Sequence, residues 1–279
     1  MNSLVTQVLD RLVADIEAGK NPWKKSWKGS SGMPLNSTTD RTYRGINTLI
    51  LWLEADAKGF SSNRWGTFKQ WGGAGRYVKK GEKGTPIVFY KVIEKGQGDN
   101  ATSFPMLRVS WVFNETQLDG EAAQPQAAEP PTPEEKHIRA MAWLDGLGMK
   151  IGQGAPAYIP ALDELRMPMP SEFTSLDEYW ATLFHESVHW TGHKLRLNRK
   201  LVSQAAELEY AAEELVAEIG AAFLNASFGI DTEKNNAAYL RGWLSKFDNK
   251  REAIFEAAKQ AGRAFEFLTV QPQAMEQAA

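Results

Sequence analysis

The chain has 279 residues, of which 43% are hydrophobic and 24% are charged, and its formal net charge is −2. This balance is typical of a packed globular protein and excludes a low-complexity chain, and the length allows one large domain or two of ordinary size. The chain has no cysteine, which excludes disulfides, thiolate metal sites and cysteine catalysis and fits a reducing compartment. The first residues predict no signal peptide, and no apolar run reaches the length of a membrane span. We therefore expect a cytoplasmic protein without membrane contacts.

The charge is distributed unevenly along the chain. Residues 1–120 contain 17 Lys and Arg against 11 Asp and Glu, a net charge of +6, whereas the remainder contains 15 against 23, a net charge of −8. Six of the ten tryptophans also lie in the basic part. Two parts of opposite charge predict two domains with different partners.

Hydrophobic periodicity predicts a small α+β domain over residues 1–118. Apolar residues at helical spacing predict one helix over residues 4–19 and a second helix over residues 48–57. Residues 85–93 and 107–113 are apolar or alternating and contain β-branched residues, which indicates two strands.

Cationic and aromatic residues are interleaved within this domain. Residues 20–91 contain 14 Lys and Arg against four Asp and Glu. Single-stranded DNA binding needs this mixture, because cations follow the phosphates and aromatic rings stack on bases without reading their identity. The alternative is that the tryptophans belong to the core and the lysines keep the domain soluble. Residues 23–27 are the least core-like, because they lie in a predicted loop. The residues assigned to DNA binding are Trp23, Lys24, Lys25, Trp27, Lys28, Arg44, Lys69, Trp71, Arg76, Lys79, Lys80 and Lys83.

A segment rich in proline separates the two parts of the chain. Residues 119–133 contain four prolines, no aromatic residue and little apolar bulk, which predicts a semi-extended linker. Beyond it, residues 134–147 predict a helix and residues 157–168 predict a short hairpin. His137, near the start of this helix, is interpreted as a surface residue rather than a metal ligand.

A metal-binding motif follows in the second part of the chain. His185, Glu186 and His189 form the pattern H-E-x-x-H. On a helix this pattern places two imidazoles on one face, where they can bind one metal ion, with the glutamate beside them as a general base. Ser175 begins a capping box, and apolar residues follow at helical spacing up to Gly192. The motif is therefore predicted in the last turns of a helix of about four turns.

A catalytic zinc ion usually has three protein ligands and one water. His193 lies beyond the glycine that is expected to end the helix, and Leu195 stands where the metzincin pattern has its third histidine. The better candidates lie in a helix predicted over residues 210–224, where Glu214 and Glu218 are four residues apart on one face.

Like charges at this spacing repel each other, and a cation between the two helices would relieve the repulsion. We assign Glu214 as the third ligand and Glu218 as the acceptor for the second ring N–H of a ligand histidine, an arrangement that resembles the thermolysin-like zinc proteases. Which of Glu213, Glu214 and Glu218 binds the metal stays open, and the alternative is that they are surface glutamates of an amphipathic helix. Tyr210, one turn before Glu214, is a candidate oxyanion donor.

The C-terminal part is predicted to be mostly helical. Residues 235–267 have apolar positions at helical spacing, and residues 271–279 are predicted to be a disordered tail. The second domain is therefore expected over residues 134–270, as a mostly helical unit with a small sheet.

Several motifs in sequence order resemble those of the antirestriction ArdC family. They are residues 21–23, 43–47, 65–71 and 78–84 in the first part and residues 158–168, 185–193 and 196–199 in the second. The resemblance implies an N-terminal domain that binds single-stranded DNA without sequence preference. It also implies a C-terminal zincin-like domain similar to the SprT-type DNA-dependent proteases. Those proteases usually use a third histidine, where this chain offers Glu214.

Two functions follow from these expectations. In the first, zinc or another divalent ion is held by His185, His189 and Glu214, and Glu186 acts as the base. Such an enzyme would cleave a host restriction enzyme or another DNA-bound protein, and so protect incoming conjugative plasmid DNA from host restriction. In the second, the chain is not an enzyme: it coats single-stranded DNA and acts by occlusion, and the metal is structural. A second half that mimics DNA and docks onto a restriction enzyme would be a further form of the second function.

Overall fold

The computed structural model describes residues 3–20, 32–95, 102–120, 131–202, 206–231 and 236–276. The chain forms two compact units, one of residues 1–28 with 34–126 and the other of residues 29–33 with 127–279. Each unit combines helices with a small sheet, so the structure is α+β, as the sequence predicts. Among the helices of the described ranges, none combines the length and apolar character that crossing a bilayer requires.

In its described residues, the N-terminal unit contains a four-stranded sheet and three helices. The strand order is β1-β2-β4-β3, in which β1 and β2 are parallel and the other pairs are antiparallel. Both predicted strands are present and are longer than predicted. The elements are α1 (Ser3–Glu17), β1 (Leu35–Asn36), α2 (Ile46–Lys58), β2 (Arg64–Thr67), α3 (Phe68–Gly73), β3 (Thr85–Lys95) and β4 (Thr102–Asn114).

Helices α1 and α2 cover one face of this sheet. Val112 of β4 is fully buried and pairs with Thr67 of β2 and Thr85 of β3. Thr85 in turn lines a small cavity together with Leu12 of α1 and Leu53 of α2. Because successive side chains of a strand point to opposite faces, the neighbours of Val112 along β4 point away from these helices.

The C-terminal unit is mostly helical, with a sheet of three short strands in the order β5-β7-β6. The predicted hairpin is β6 with β7, which are antiparallel, whereas β5, which pairs parallel to β7, has no predicted counterpart. The elements are α4 (Pro133–Leu147), β5 (Lys150–Gln153), β6 (Ala157–Ile159), β7 (Glu164–Met167), α5 (Leu176–Thr191), α6 (Glu207–Phe228), α7 (Asn236–Leu244) and α8 (Lys250–Glu276).

The C-terminal helical prediction needs two corrections. The single helix expected over residues 235–267 is divided into α7 and α8, because the Asn249 side chain accepts a hydrogen bond from the Glu252 N–H and so begins a new helix. Helix α8 also continues to Glu276, past Gln271, where a disordered tail is expected. Pro272 has no N–H to donate to the Leu268 carbonyl, and the Trp143 Nε1–H donates to that carbonyl instead at 2.7 Å, which replaces the missing helix bond.

Close packing of α5 against α6 forms the core of the second unit. A Cβ atom at Gly220 of α6 would lie 2.7 Å from Cγ2 of Val188 on α5, so only glycine allows the two helices to approach this closely. Beside them the rings of Trp143, Phe184 and Phe228 lie in mutual contact, with centroids 5.1–5.6 Å apart. This packing brings the polar faces of α5 and α6 together.

A short stretch within the predicted first domain belongs to the second unit instead. Residues 29–33 are assigned there. The Gly32 N–H donates a hydrogen bond to the Ala226 carbonyl at 3.0 Å, and Met33 is buried. The two units meet in the sequence at residues 126 and 127, inside the segment for which a linker is predicted. Residues 121–130 of that segment lie outside the described residues.

Candidate functional site

Helix α5 presents the H-E-x-x-H motif on its last two turns. Ser175 caps the helix by accepting a hydrogen bond from the Glu178 N–H at 3.2 Å, and Gly192 follows its last residue. The reciprocal half of the predicted capping box is absent, because the Glu178 carboxylate accepts from the Thr174 hydroxyl instead. The helix bounds otherwise agree with the prediction.

Three side chains converge between α5 and α6. The Nε2 atoms of His185 and His189 are 3.2 Å apart. Glu214 lies opposite them, with Oε2 3.5 Å from Nε2 of His185 and Oε1 3.7 Å from Nε2 of His189. The potential ligand atoms of these three residues all lie within 4.8 Å of one another.

These distances fit a divalent metal ion. Zinc–nitrogen and zinc–oxygen bonds of about 2.0–2.2 Å at tetrahedral angles place neighbouring ligand atoms about 3.4 Å apart. The three observed separations of 3.2, 3.5 and 3.7 Å lie around this value. Two imidazoles and one carboxylate are also the donor set of a familiar class of catalytic zinc sites.

Glu213, rather than Glu218, orients a histidine of this cluster. His189 donates its Nδ1–H to Oε1 of Glu213 at 3.1 Å, which leaves Nε2 free to face the cluster. Glu218 Oε1 is 3.9 Å from Nδ1 of His185, too far for a hydrogen bond. Glu213 thus takes the acceptor role for His189, because the rotation of α6 places it beside the later histidine. The role assigned to Glu218 stays a prediction, and Glu218 is the carboxylate near Nδ1 of His185.

Arg199 holds Glu213 in place. Its Nε donates to Oε2 of Glu213 at 2.9 Å and its Nη2 donates to Oε1 at 2.7 Å. The same guanidinium donates to the Val188 carbonyl and the Thr191 hydroxyl at the end of α5. Burial raises the pKa of Glu213, but the hydrogen bonds from Arg199 and His189 outweigh it and hold the pKa below its ordinary value. The charged carboxylate fixes the ring of His189.

Electrostatics in the cluster favour a positive charge at its centre. Burial lowers the pKa of His185, but the hydrogen bond to Glu214 and the nearby carboxylates of Glu218 and Glu186 raise it to about 9. Burial raises the pKa of Glu218, and the neighbouring Glu214 adds to this effect. Four buried glutamates around two histidines thus form a site suited to a cation.

A pocket of about 330 Å³ opens onto this cluster. Glu186 and Tyr210 line it together with Tyr158 of β6, an edge strand of the three-stranded sheet. Burial raises the pKa of Glu214, but the bond to His185 and the other interactions, including a hydrogen bond from Tyr210, lower it overall. The Tyr210 hydroxyl is therefore engaged with a proposed ligand.

A polar network fastens the edge strand to the end of α5. The Tyr158 hydroxyl donates to Asp163 at 2.8 Å, and Arg196 bonds to both residues. The Arg196 guanidinium lies 3.8 Å over the Trp190 ring and its Nε donates to the Trp190 carbonyl. Burial and the Asp163 carboxylate raise the pKa of Tyr158, so its proton stays in the network.

The other two histidines lie outside the metal cluster. His193 accepts a hydrogen bond from the Leu195 N–H and is not among the converging ligands. His137 is not simply a surface residue, because its Nε2 bonds to Asp177 at 2.7 Å and its side chain is 17% exposed. Asp177, in the first turn of α5, also binds Lys136, so this group joins α4 to α5.

The predicted DNA-binding residues separate into three groups. Arg44, Lys69, Lys79, Lys80 and Lys83 are exposed, as DNA contacts require. Trp71 is not available for stacking: it is 4% exposed, and its Nε1–H donates to the Phe113 carbonyl. Arg76 is held by Glu115 at 2.5 Å. The residues outside the described part of the chain are Trp23, Lys24, Lys25, Trp27 and Lys28.

Two exposed aromatic residues of the N-terminal unit were not predicted from the sequence to bind DNA. Phe68 and Trp111 are 62% and 50% exposed. Phe68 is one of several interleaved aromatic residues, and Trp111 lies in a strand that is apolar at most positions. Only the sheet shows which of these rings face outward.

Comparison with known proteins identifies both parts of the chain. Residues 2–128 match the family described as the N-terminal domain of anti-restriction factor ArdC, and residues 137–260 match the zincin-like metallopeptidase family. A DNA primase TraC of Escherichia coli is 36% identical over 98% of this chain, and a protein of Sinorhizobium fredii, y4eC, is 32% identical over 95% of this chain and 91% of its own length. The chain spans only 28% and 19% of the length of the two TraC relatives.

Two solved structures of the ArdC protein from plasmid R388 extend this comparison. The metal-free structure is 36% identical, covers 97% of this chain and 98% of its own, and superposes with a TM-score of 0.80. The Mn(II)-bound structure is also 36% identical, covers 96% of this chain and 98% of its own, and gives a TM-score of 0.77. Since both the sequence and the fold match over nearly the whole length, this chain belongs to the ArdC antirestriction family.

Proposed function

We propose that this chain is an antirestriction protein that binds single-stranded DNA through its N-terminal unit and cleaves peptide bonds at a divalent-metal site in its C-terminal unit. His185, His189 and Glu214 are the proposed ligands, Glu186 is the proposed general base, and zinc is the proposed ion. The cellular role would be protection of incoming conjugative plasmid DNA from host restriction, in the cytoplasm.

The observation that carries the enzymatic proposal is the convergence of three ligand atoms beside a buried glutamate in an open pocket. Glu186 is 8% exposed and lines the same pocket as the three ligands. One structure of the related R388 protein is Mn(II)-bound, which supports a divalent ion in this family. When bound, such an ion supplies a nucleophilic water at neutral pH and polarises a carbonyl oxygen.

The residues around the pocket have separate roles in this mechanism. Glu186 would accept a proton from a water in the pocket and deliver it to the leaving amine nitrogen. The edge of β6, with Ala157 and Tyr158 at the pocket, would bind an extended peptide as an additional strand. The Arg196 network would keep this edge in position. Tyr210 would position Glu214 through its hydroxyl, and its role as an oxyanion donor stays a prediction.

The DNA-binding part of the proposal rests on the match to the N-terminal domain family of ArdC and on the exposed cations of the N-terminal unit. Lys69, Lys79, Lys80 and Lys83 are exposed in the described structure, and such residues neutralise phosphates without reading sequence. DNA bound there would bring the protease close to proteins on the same strand, which are the proposed substrates. A host restriction enzyme or another DNA-bound protein fits this description.

The test compares wild type with Glu186→Gln, both loaded with zinc, on a generic DNA-binding protein with and without single-stranded DNA. Cleavage by wild type alone, faster with DNA, is expected. The matched control is Glu209→Gln, which removes an exposed carboxylate from α6 and should leave cleavage unchanged. Equal cleavage by wild type and Glu186→Gln would rule out Glu186 as the base. Absence of cleavage by both, with metal and DNA bound, would favour occlusion with a structural metal.

A further inference from the structure

We propose that the sheet face opposite α1 and α2 is the surface on which the N-terminal unit stacks the bases of single-stranded DNA, with Trp111 and Phe68 as the stacking rings. Lys69 and Lys83 would hold the adjacent phosphates. This inference rests on the DNA-binding half of the proposed function and specifies the surface that performs it.

Strand register places the aromatic residues on this face. Trp111 and Phe113 alternate with the buried Val112, which faces α1 and α2, so both rings lie on the opposite side. Phe113 pairs with Gly66 of β2. Phe68 follows directly after β2, and its ring meets the Phe113 ring edge to face with centroids 6.3 Å apart.

Exposure of these rings is the observation that points to a ligand. Trp111 is 50% exposed and Phe68 is 62% exposed, with the half-buried Phe113 in contact with Phe68. Clustered exposed aromatic side chains mark binding surfaces, because their apolar faces gain by being covered. Every base has a flat π-face, so two such rings can each accept a base of any sequence.

The positively charged side chains beside the rings indicate that the ligand of this face is a nucleic acid. Lys69 follows Phe68 in the sequence, and Lys83 precedes Gly84, whose Cβ position lies 3.1–3.3 Å from the side chains of Phe113 and Trp111. Lys69 and Lys83 are both exposed, and neither pairs with an acidic side chain in the described part of the chain. The bases of a single strand are free to unstack, so they can meet the rings while the phosphates meet the cations. In a duplex the base faces are stacked on one another and are not available to the rings.

Packing and hydrogen bonds hold the borders of this face in place. Trp71 of α3 lies on Gly66, where a Cβ atom would be 3.0 Å from its ring, and donates its Nε1–H to the Phe113 carbonyl at 3.0 Å. The Gln117 side chain fixes the other border by donating to the Lys83 carbonyl at 3.0 Å. Trp71 therefore lies on this same face beside Phe113, where it packs over Gly66 as a buried ring and does not itself stack on bases.

The test measures binding of a fluorescent oligothymidine to the full chain by anisotropy. Trp111→Ala and Phe68→Ala should each weaken binding by about 5- to 100-fold, the range measured for loss of one base–aromatic stack. Trp111→Phe should restore most of the affinity. Phe89→Ala is the matched control: Phe89 is 41% exposed and pairs with Arg108, on the other face of the same two strands, so its loss should change little.

Two further measurements separate stacking from charge. Lys83→Gln should reduce the slope of log affinity against log salt by about 0.7, the contribution of one phosphate contact on a single strand, whereas Trp111→Ala should leave that slope unchanged. Weak binding to a duplex of the same length should not respond to Trp111→Ala. Thermal unfolding shows that each variant remains folded.

The outcomes distinguish this inference from the proposed function. If wild type binds oligothymidine and Trp111→Ala and Phe68→Ala bind equally well, the stacking surface is wrong and DNA binding stands. If wild type does not bind single-stranded DNA, the proposed DNA binding and the stacking surface are both wrong. If Trp111→Ala leaves DNA binding intact but abolishes self-association in solution, the face is an interface between two copies and the inference is overturned.

Discussion

The two units of this protein place their chemically active side chains in opposite environments. In the C-terminal unit, His185, His189 and four glutamates are largely buried between two helices, and Glu213 and Glu214 contact the two histidines. In the N-terminal unit, Trp111 and Phe68 remain exposed on one face of a sheet. The first arrangement gathers negative charges that favour a cation, and the second offers apolar faces that a flat ligand can cover.

This difference predicts how each region responds to mutation. A buried cluster shares its charges and hydrogen bonds, so the loss of one member leaves others unsatisfied and the effects are large and not additive. Exposed rings and lysines act almost independently, so each change removes a limited fraction of the binding free energy. Four predictions, from the largest expected effect to the smallest, test this comparison.

Removal of a ligand histidine should abolish metal binding. In His189→Ala only His185 and Glu214 of the proposed ligands remain, which is too few for a catalytic zinc site, and any peptidase activity should fall to background. Elemental analysis after dialysis should show about one metal per chain in wild type and almost none in the variant. His193→Ala, which lies at the end of the same helix outside the cluster, should retain the metal. Full metal content in His189→Ala would contradict the assignment.

Trp71→Ala should destabilise the N-terminal unit by about 3–5 kcal/mol, because it removes a buried ring and leaves a cavity beside Gly66. Urea unfolding followed by circular dichroism measures this change. Trp111→Ala, which removes the same side chain from the exposed face, should cost about 1 kcal/mol or less. Equal losses of stability in the two variants would contradict the assignment of Trp71 as a buried ring and Trp111 as an exposed one.

Loss of the Arg199–Glu213 pair should weaken metal binding without abolishing it. In Glu213→Gln the ring of His189 loses its charged acceptor, and a decrease in metal affinity of about 10- to 100-fold is expected. Competition with a chromophoric chelator measures the affinity. Glu218→Gln serves as the comparison, because Glu218 is 3.9 Å from His185 and makes no hydrogen bond to it. A larger effect of Glu218→Gln would reverse the roles assigned to these two glutamates.

Asp177→Asn should cost about 1–2 kcal/mol of stability at neutral pH, since it weakens the bonds to Lys136 and His137. Burial raises the pKa of Asp177, but these bonds and the Asp231 N–H lower it overall. Because the pKa of Asp177 is lower in the folded state, its carboxylate contributes stability at pH values above about 3.9, the pKa of an unfolded aspartate. This contribution is lost as the pH falls through the lower pKa of the folded state. The difference between wild type and Asp177→Asn should therefore shrink below about pH 4 in denaturant titrations. A difference that is constant with pH would exclude this electrostatic origin.

The sequence alone is enough to predict a feature when the spacing of residues along one helix or strand determines where their side chains lie. Helical spacing places His185 and His189 on one face of α5, and the same spacing identifies α6 as the source of a carboxylate. Strands β3 and β4 and the hairpin of β6 and β7 are also predictable, because apolar alternation and turn residues are local signals. The short strands β1 and β2 are not predicted. The composition of the proline-rich segment is by itself enough to indicate two units.

Tertiary packing decides which side chains within these elements meet. The choice between Glu213 and Glu218 as the partner of a histidine depends on the rotation of α6 about its axis, which the contact between Gly220 and Val188 sets. The choice between Trp71 and Trp111 as an exposed ring depends on which face of the sheet α1 and α2 cover, and on the position of α3, which places the Trp71 ring over Gly66 on the other face. Strand β4 has apolar residues on both faces, so alternation alone cannot tell its covered face from its open one. Spacing along one helix or strand is a property of the local chain, whereas the orientation of one element against another comes from contacts between residues far apart in sequence.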